Sequence, residues 1–225
     1  MANHLDLEEQ EQLDELKHFW KQYGNLISWI LIVVLGAIAA WNGYQYWQTR
    51  QAAQAAVMYD EVDKVVRGGD VEKAQRAFND MKDRFAGAAY TQQAALLLAR
   101  MAYDAGKVDV AKASLTWLSE HAKDDGFAAM AKLRLAAILL ETKSYDEALK
   151  QLQTMPDAFA GLAADRRGDI YNQQGKAAEA KAEYLKAYKS MDEQAPYRRI
   201  LVVKLNAMGL DPEADAKTSK SGGAS

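Results

Sequence analysis

The chain has 225 residues, 49% of them hydrophobic and 26% charged; that is enough to bury a core, and its 3 prolines favour long helices over a loop-rich fold. It contains no cysteine, which excludes disulfides, thiolate metal sites, cysteine nucleophiles and a lipid anchor built on an N-terminal cysteine. The net charge of −3 lies in the first 50 residues, where Asp6, Glu8, Glu9, Glu11, Asp14 and Glu15 outnumber Lys17, Lys21 and Arg50; the rest is balanced and has no basic footprint for nucleic acid.

Residues 1–25 read as an acidic arm. From Gln22 to Thr49 no residue is charged, and Leu26, Ile27, Ile30, Leu31, Ile32, Val33, Val34, Leu35 and Ile38 are strongly apolar. Nine such side chains favour membrane insertion by roughly 3 to 5 kcal/mol. A helix over residues 26–47 is about 33 Å long, enough to cross a hydrocarbon core of about 30 Å. Trp20, Tyr23 and Trp29 mark its entrance and Trp41, Tyr44, Tyr46 and Trp47 its exit, where amphipathic rings prefer the headgroup boundary of the lipid. Ala37-Ile38-Ala39 has the form of a signal-peptide cleavage site, but the segment before it is acidic and polar where a signal peptide is basic. Lys17 and Lys21 before the helix against Arg50 after it lean towards an N-terminus inside, with the C-terminal part across the membrane. Gly36 with Ala40, and Ala39 with Gly43, place small residues four apart on one face and predict a helix–helix contact in the membrane.

Beyond the helix the chain repeats itself. Gly69, Gly106 and Gly175 each stand five residues before an alanine, and Lys143 stands in the same place before a fourth. A glycine there suits a helix stop followed by a tight turn and close backbone packing. The alanines, Ala74, Ala111, Ala148 and Ala180, are spaced by 37, 37 and 32 residues, close to the tetratricopeptide period of roughly 34. The last copy fits best: Gly168, Tyr171, Gly175, Ala180, Tyr184 and Ala187 fall where that repeat takes small, aromatic, small, small, aromatic and small residues. Earlier copies put Phe78, Leu115 or Leu152 at the later aromatic position. The pattern predicts an all-α solenoid over residues 50–208, in helix pairs 52–67 with 70–85, 88–104 with 107–121, 126–142 with 144–154 and 157–173 with 176–190. A capping helix over 196–208 follows, with Arg198, Arg199 and Lys204 supplying its polar outer face. Residues 209–225 are expected to be a disordered tail.

Of the three histidines, His4 and His18 precede the apolar helix, leaving His121 alone in the repeat region, so no histidine cluster or triad can form there. No phosphate loop, dinucleotide fingerprint or paired-histidine metal motif occurs, and no cofactor is expected. What remains is a surface for binding. Stacked helix pairs form a concave groove lined by the first helix of each pair, and the helical phase points Tyr59, Arg100, Tyr103, Leu133, Leu140, Asp165, Asp169 and Asn172 towards it.

The stretch Glu11-Gln-Leu-Asp-Glu-Leu-Lys17-His-Phe-Trp20-Lys-Gln-Tyr-Gly24, the apolar helix, the exit Trp41-Asn-Gly-Tyr-Gln-Tyr-Trp47 and the repeats together resemble the ancillary SecYEG translocon subunit family of Gram-negative bacteria. The resemblance covers all but the tail. It implies a single-pass inner-membrane protein with a cytoplasmic N-terminus and a periplasmic repeat domain. It also implies association with the Sec translocon and with a membrane-anchored periplasmic chaperone of the prolyl-isomerase type. The expected function is then a non-catalytic accessory of export, whose groove holds a chaperone or an emerging, unfolded secretory or envelope protein. The rival expectation is an envelope scaffold that organises division or outer-membrane assembly machinery without touching the translocon.

Overall fold

The computed structural model describes residues 7–213, with side chains from residue 12 onwards, and divides the chain into two units, Met1–Ala53 and Gln54–Ser225. Helix α1, Leu7–Arg67, supplies all the described structure of the first unit and enters the second. Sequence patterning predicts one helix over 26–47 and another from residue 52; the structure runs them together. The physical reason is composition: Gln48 to Gln54 contain neither Gly nor Pro, and Ala, Gln and Arg are good helix formers. In the first unit the large apolar side chains stand clear of other protein, Ile30, Ile32, Val33 and Leu35 being between 54% and 65% exposed. This helix is long and apolar enough to cross a membrane.

In the second unit the first helix of each pair ends where the backbone turns left-handed, at Gly69, Gly106, Lys143 and Gly175. Gly106, at φ 73°, closes α3 (Ala89–Asp104), and Gly175, at φ 75°, closes α7 (Ala160–Gln173). The turn satisfies otherwise orphaned carbonyls: Lys107 N–H reaches the carbonyl of Ala102 at 2.7 Å, and Lys176 N–H that of Tyr171 at 2.9 Å. The chain then re-enters as α4 (Val108–His121) and α8 (Ala177–Ser190). The remaining helices are α2 (Val71–Phe85), α5 (Asp125–Glu141), α6 (Tyr145–Gln151) and α9 (Arg198–Ala207). Asp70 caps α2 by accepting from Lys73 N–H, and Asp124 caps α5 by accepting from Gly126 and Phe127 N–H. Ala74, Ala111, Ala148 and Ala180 are all 0% exposed, so the repeated alanine is a core position in every copy.

Contacts run mainly between neighbours in sequence, α3 on α4, α4 on α5, α5 on α6, α7 on α8 and α8 on α9, with α5 also on α7. This is the near one-dimensional packing of a repeat array. The buried apolar residues fall into two clusters. One extends from Ala55 to Ile170; the other gathers Ala164, Ala180, Tyr184, Ala187, Tyr188, Leu201 and Leu205 around α7, α8 and α9.

Four details differ from the expectation. Helix α6 ends at Gln151 rather than 154, because Pro156 disfavours helix in the residue before it and Arg167 Nη1 takes the Leu152 carbonyl at 3.0 Å. The next pair opens with a 3₁₀ turn, Asp157–Phe159. Lys204 does not belong to the polar outer face of α9: its ammonium turns inward to two aspartates of α7. Of the tail expected from residue 209, Gly209 to Glu213 are described and close the domain, with Leu210 N–H bonded to the Leu205 carbonyl at 3.0 Å and Pro212 buried. Residues 1–6 of the arm and 214–225 of the tail lie outside the described residues.

Candidate partner-binding groove

Helices α3 and α5 are the first members of the second and third pairs, and between them lies a cleft of about 320 Å³. Ala99, Leu115, Ala137 and Ile138 give it an apolar floor. Its rim is polar. Arg100 and Tyr103 come from α3, Arg134 and Glu141 from α5, and the Tyr103 hydroxyl donates to the Glu141 carboxylate across the cleft. That hydrogen bond raises the Tyr103 pKa above the ordinary phenol value, since losing the proton would set two negative charges together. Arg100 Nε stands 3.7 Å from Asp104, a loose contact between two exposed side chains. The Arg134 guanidinium has no hydrogen bond or ion pair among the described residues and is exposed.

The eight groove positions read from sequence therefore go to several places. Arg100 and Tyr103 line the cleft. On α5 the cleft takes Arg134 and Glu141, one position on from Leu133 and Leu140, which are partly buried against the apolar cluster. Tyr59 is half-buried, its ring centroid 5.7 Å from that of Tyr90. Asn172 is exposed in the last turn of α7, where its carbonyl accepts from Gly175 N–H at 3.0 Å. Gly36 and Gly43 of the predicted membrane contact face open space, with Ala39 and Ala40 exposed between them.

Asp165 and Asp169 meet in a polar junction. Lys204 Nζ of α9 donates to both, at 2.7 and 2.6 Å, while Tyr197 Oη donates to Asp165 at 2.6 Å and Tyr184 Oη to Asp169 at 2.8 Å. Asp165 is 2% exposed, and a carboxylate so buried is tolerable because three donors serve the pair. Burial first, then hydrogen bonding to the aspartates, pushes both tyrosine hydroxyls above the usual phenol range. One turn along α7, the close approach of α8 requires a glycine: a Cβ at Gly168 would stand 2.5 Å from the Tyr184 ring, which is 3% exposed and held through its hydroxyl. Arg167 joins the same helices by bonding Glu183 at 2.9 Å.

Two residues that matter to the cleft, Arg134 and Glu141, were not singled out by sequence. Their signal was present as an i, i+7 pair on α5 with Ala137 between them, on one helical face. Among the described residues no cluster of three or more His, Asp or Glu side chains is arranged to hold a metal.

Among the described residues an exposed apolar helix leads into four helix pairs and a closing helix, which defines the class: a tetratricopeptide-repeat protein with an N-terminal membrane-type helix. A family profile described as a tetratricopeptide repeat-like domain matches residues 17–210. A protein of Neisseria gonorrhoeae, named ancillary SecYEG translocon subunit, is 33% identical over 92% of this chain and 100% of its own length. Proteins of the same name from Haemophilus influenzae and Escherichia coli are 28% identical over 82% of this chain and 25% identical over 90%, covering 90% and 97% of their own lengths. The chain belongs to the ancillary SecYEG translocon subunit family. No solved structure matches it.

Proposed function

We propose that the chain is a non-catalytic accessory of the Sec translocon, anchored in the inner membrane by residues 26–47 of α1, with the repeat domain on the periplasmic side. The observation that carries this is the likeness to the Neisseria relative, which spans that protein from end to end and so includes helix and repeats together. The bare apolar surface of α1 supports the anchor, because side chains such as Val33, at 65% exposed, are unfavourable in water and lower the free energy on entering lipid. The acidic arm, with its two lysines, remains in the cytoplasm. The groove receives a membrane-anchored prolyl-isomerase-type chaperone or an unfolded secretory chain, and tethering raises the effective concentration at which such weak contacts form.

Photocrosslinking in intact cells tests it. A photoreactive residue in place of Trp41 or Tyr44, where α1 leaves the apolar stretch, should give adducts with translocon subunits. A reporter active only outside the cytoplasm should work when fused after Ser225 and fail when fused before Met1. Crosslinks to division or outer-membrane assembly proteins alone would replace the translocon reading with the scaffold, and the reverse reporter pattern would invert the topology.

A further inference from the structure

We infer that the cleft between α3 and α5 binds an extended, internal peptide segment in which an apolar residue and an aspartate or glutamate stand two positions apart. The inference rests on the groove being the partner-binding face and names the chemistry it reads.

The cleft asks for two things at once. Its floor is apolar: Leu115 from α4 and Ile138 from α5 are buried beneath it, and the half-buried Ala137 and the exposed Tyr103 ring leave apolar surface in contact with water, so an apolar side chain lowers its free energy by displacing that water. Its rim presents guanidiniums from both sides. Arg134 has all five N–H donors free of protein acceptors among the described residues, and Arg100 spends one donor on a 3.7 Å contact, longer than a good hydrogen bond. A simple inorganic anion would satisfy the rim and leave the floor wet, while a purely apolar segment would cover the floor and leave the guanidiniums unserved. One ligand satisfies both if it carries both groups on the same side.

In an extended chain successive side chains alternate, so groups on one side are two residues and about 6.6 Å apart. The backbone of such a segment also needs partners. Glu141, already held in place by the Tyr103 hydroxyl, has acceptor capacity left for a peptide N–H. An internal acidic side chain fits better than a chain terminus, because the cleft lies between the first helices of two successive pairs, along the face on which a continuous segment can run.

The test uses the full-length chain in detergent and a fluorescein-labelled, C-terminally amidated decapeptide, Gly-Ser-Gly-Leu-Thr-Asp-Gly-Ser-Gly-Ser, titrated by fluorescence anisotropy. Saturable binding is expected. Changing the peptide's Asp to Asn, or the protein's Arg134→Ala, should each weaken it about tenfold, as for a lost charge-assisted hydrogen bond. Combining the two should add little, because they remove the same contact. Changing the peptide's Leu to Ser should weaken binding by a similar factor. Arg134 is exposed and helical, and an unchanged circular-dichroism melt confirms that Arg134→Ala keeps the fold. An affinity indifferent to the Asp or to Arg134, or binding that requires a free peptide α-carboxylate, overturns the inference. So does an absence of binding by a chain that still crosslinks to the translocon, in which case the proposed function stands and only the ligand chemistry falls.

Discussion

Between α3 and α6 the buried positions are mostly Ala, Leu and Ile, whereas between α7 and α9 an aspartate shares the interior with two tyrosines and the inward-turned Lys204. Both regions bury one face of each helix, but the consequences differ. Apolar burial has no direction, so a repeat can drift from aromatic to leucine, as at Leu115 and Leu152, and still pack. The polar junction has direction: Asp165, Asp169 and Lys204 are satisfied together only when α9 docks in one place. The copy nearest the repeat consensus is thus also the one that carries the polar device, because Tyr184 brings an aromatic body for the core and a hydroxyl for Asp169.

The largest effect should come from breaking the C-terminal region at a fully buried small residue. Ala180 is 0% exposed, and Ala180→Arg costs about 1 to 3 kcal/mol in overpacking, with more if the guanidinium cannot escape to water. In a repeat array damage spreads from neighbour to neighbour, so limited proteolysis of the detergent-solubilised chain should cut first between about residues 157 and 208, leaving α2 to α4 intact. Ala178→Arg, at an exposed position two residues earlier, should melt close to wild type. Equal melts for both variants would show that Ala180 is not a packing contact.

The junction should also make the C-terminal region the alkali-sensitive one. Tyr184 and Tyr197 have folded-state pKa values raised by burial and by their aspartate partners, while in the unfolded chain they titrate near about 10. The folded state therefore keeps protons that the unfolded state has lost. The stability this contributes is complete below about pH 10 and falls as pH rises above it. Thermal melts at pH 9 and pH 11 should show a loss that the Tyr184→Phe, Tyr197→Phe double variant largely lacks. That variant should begin about 1 to 3 kcal/mol less stable at pH 7, having given up two hydrogen bonds. A double variant that declines with pH as steeply as wild type would remove the junction from the explanation.

Much of this was legible in the sequence because glycine and alanine report on backbone geometry directly. Gly106 and Gly175 end helices since only a residue without Cβ takes φ near 75° freely, and the alanine five places later marks a fully buried position of the next helix. The phase of α5 was faint. Ala129, Ala131, Leu133, Leu135, Ala136, Ile138, Leu139 and Leu140 surround most of that helix, leaving only the pair Arg134 and Glu141 to say which side faces the groove. Lys204 was hidden for another reason: a lysine is normally solvated, and its inward turn depends on two aspartates 35 and 39 residues away. A hint lay in the spacing, since Lys204 stands between the buried Leu201 and Leu205, and Asp165 and Asp169 lie one turn apart on a single face of α7.

The smallest effect is expected in the middle of the array, and it should be a gain. Where the other pairs have glycine, the third has Lys143, held at φ 59°. For a residue with a Cβ the left-handed conformation costs roughly 1 to 2 kcal/mol, through the approach of Cβ to the following carbonyl. The fold imposes it because the stop is needed: Ser144 N–H bonds the Leu139 carbonyl at 2.8 Å and Lys143 N–H bonds the Leu140 carbonyl at 3.0 Å. The lysine side chain is exposed and has no ion pair or hydrogen bond among the described residues, so removing it loses no contact. Lys143→Gly relieves the strain but also loosens the unfolded chain, which returns part of the benefit, and the net gain should be about 0.5 to 1 kcal/mol. For a domain of this size that raises Tm by about 1 to 4 °C. The reciprocal change, Gly106→Lys, imposes the same conformation on a lysine in the preceding pair and should lower Tm by a similar amount. Both shifts should be the same at pH 9 and at pH 11, because neither site touches the tyrosine–aspartate junction. If Lys143→Gly instead lowers Tm, the left-handed turn at 143 is not strained, and the degenerate third copy holds its helix stop by a contact other than the backbone one described.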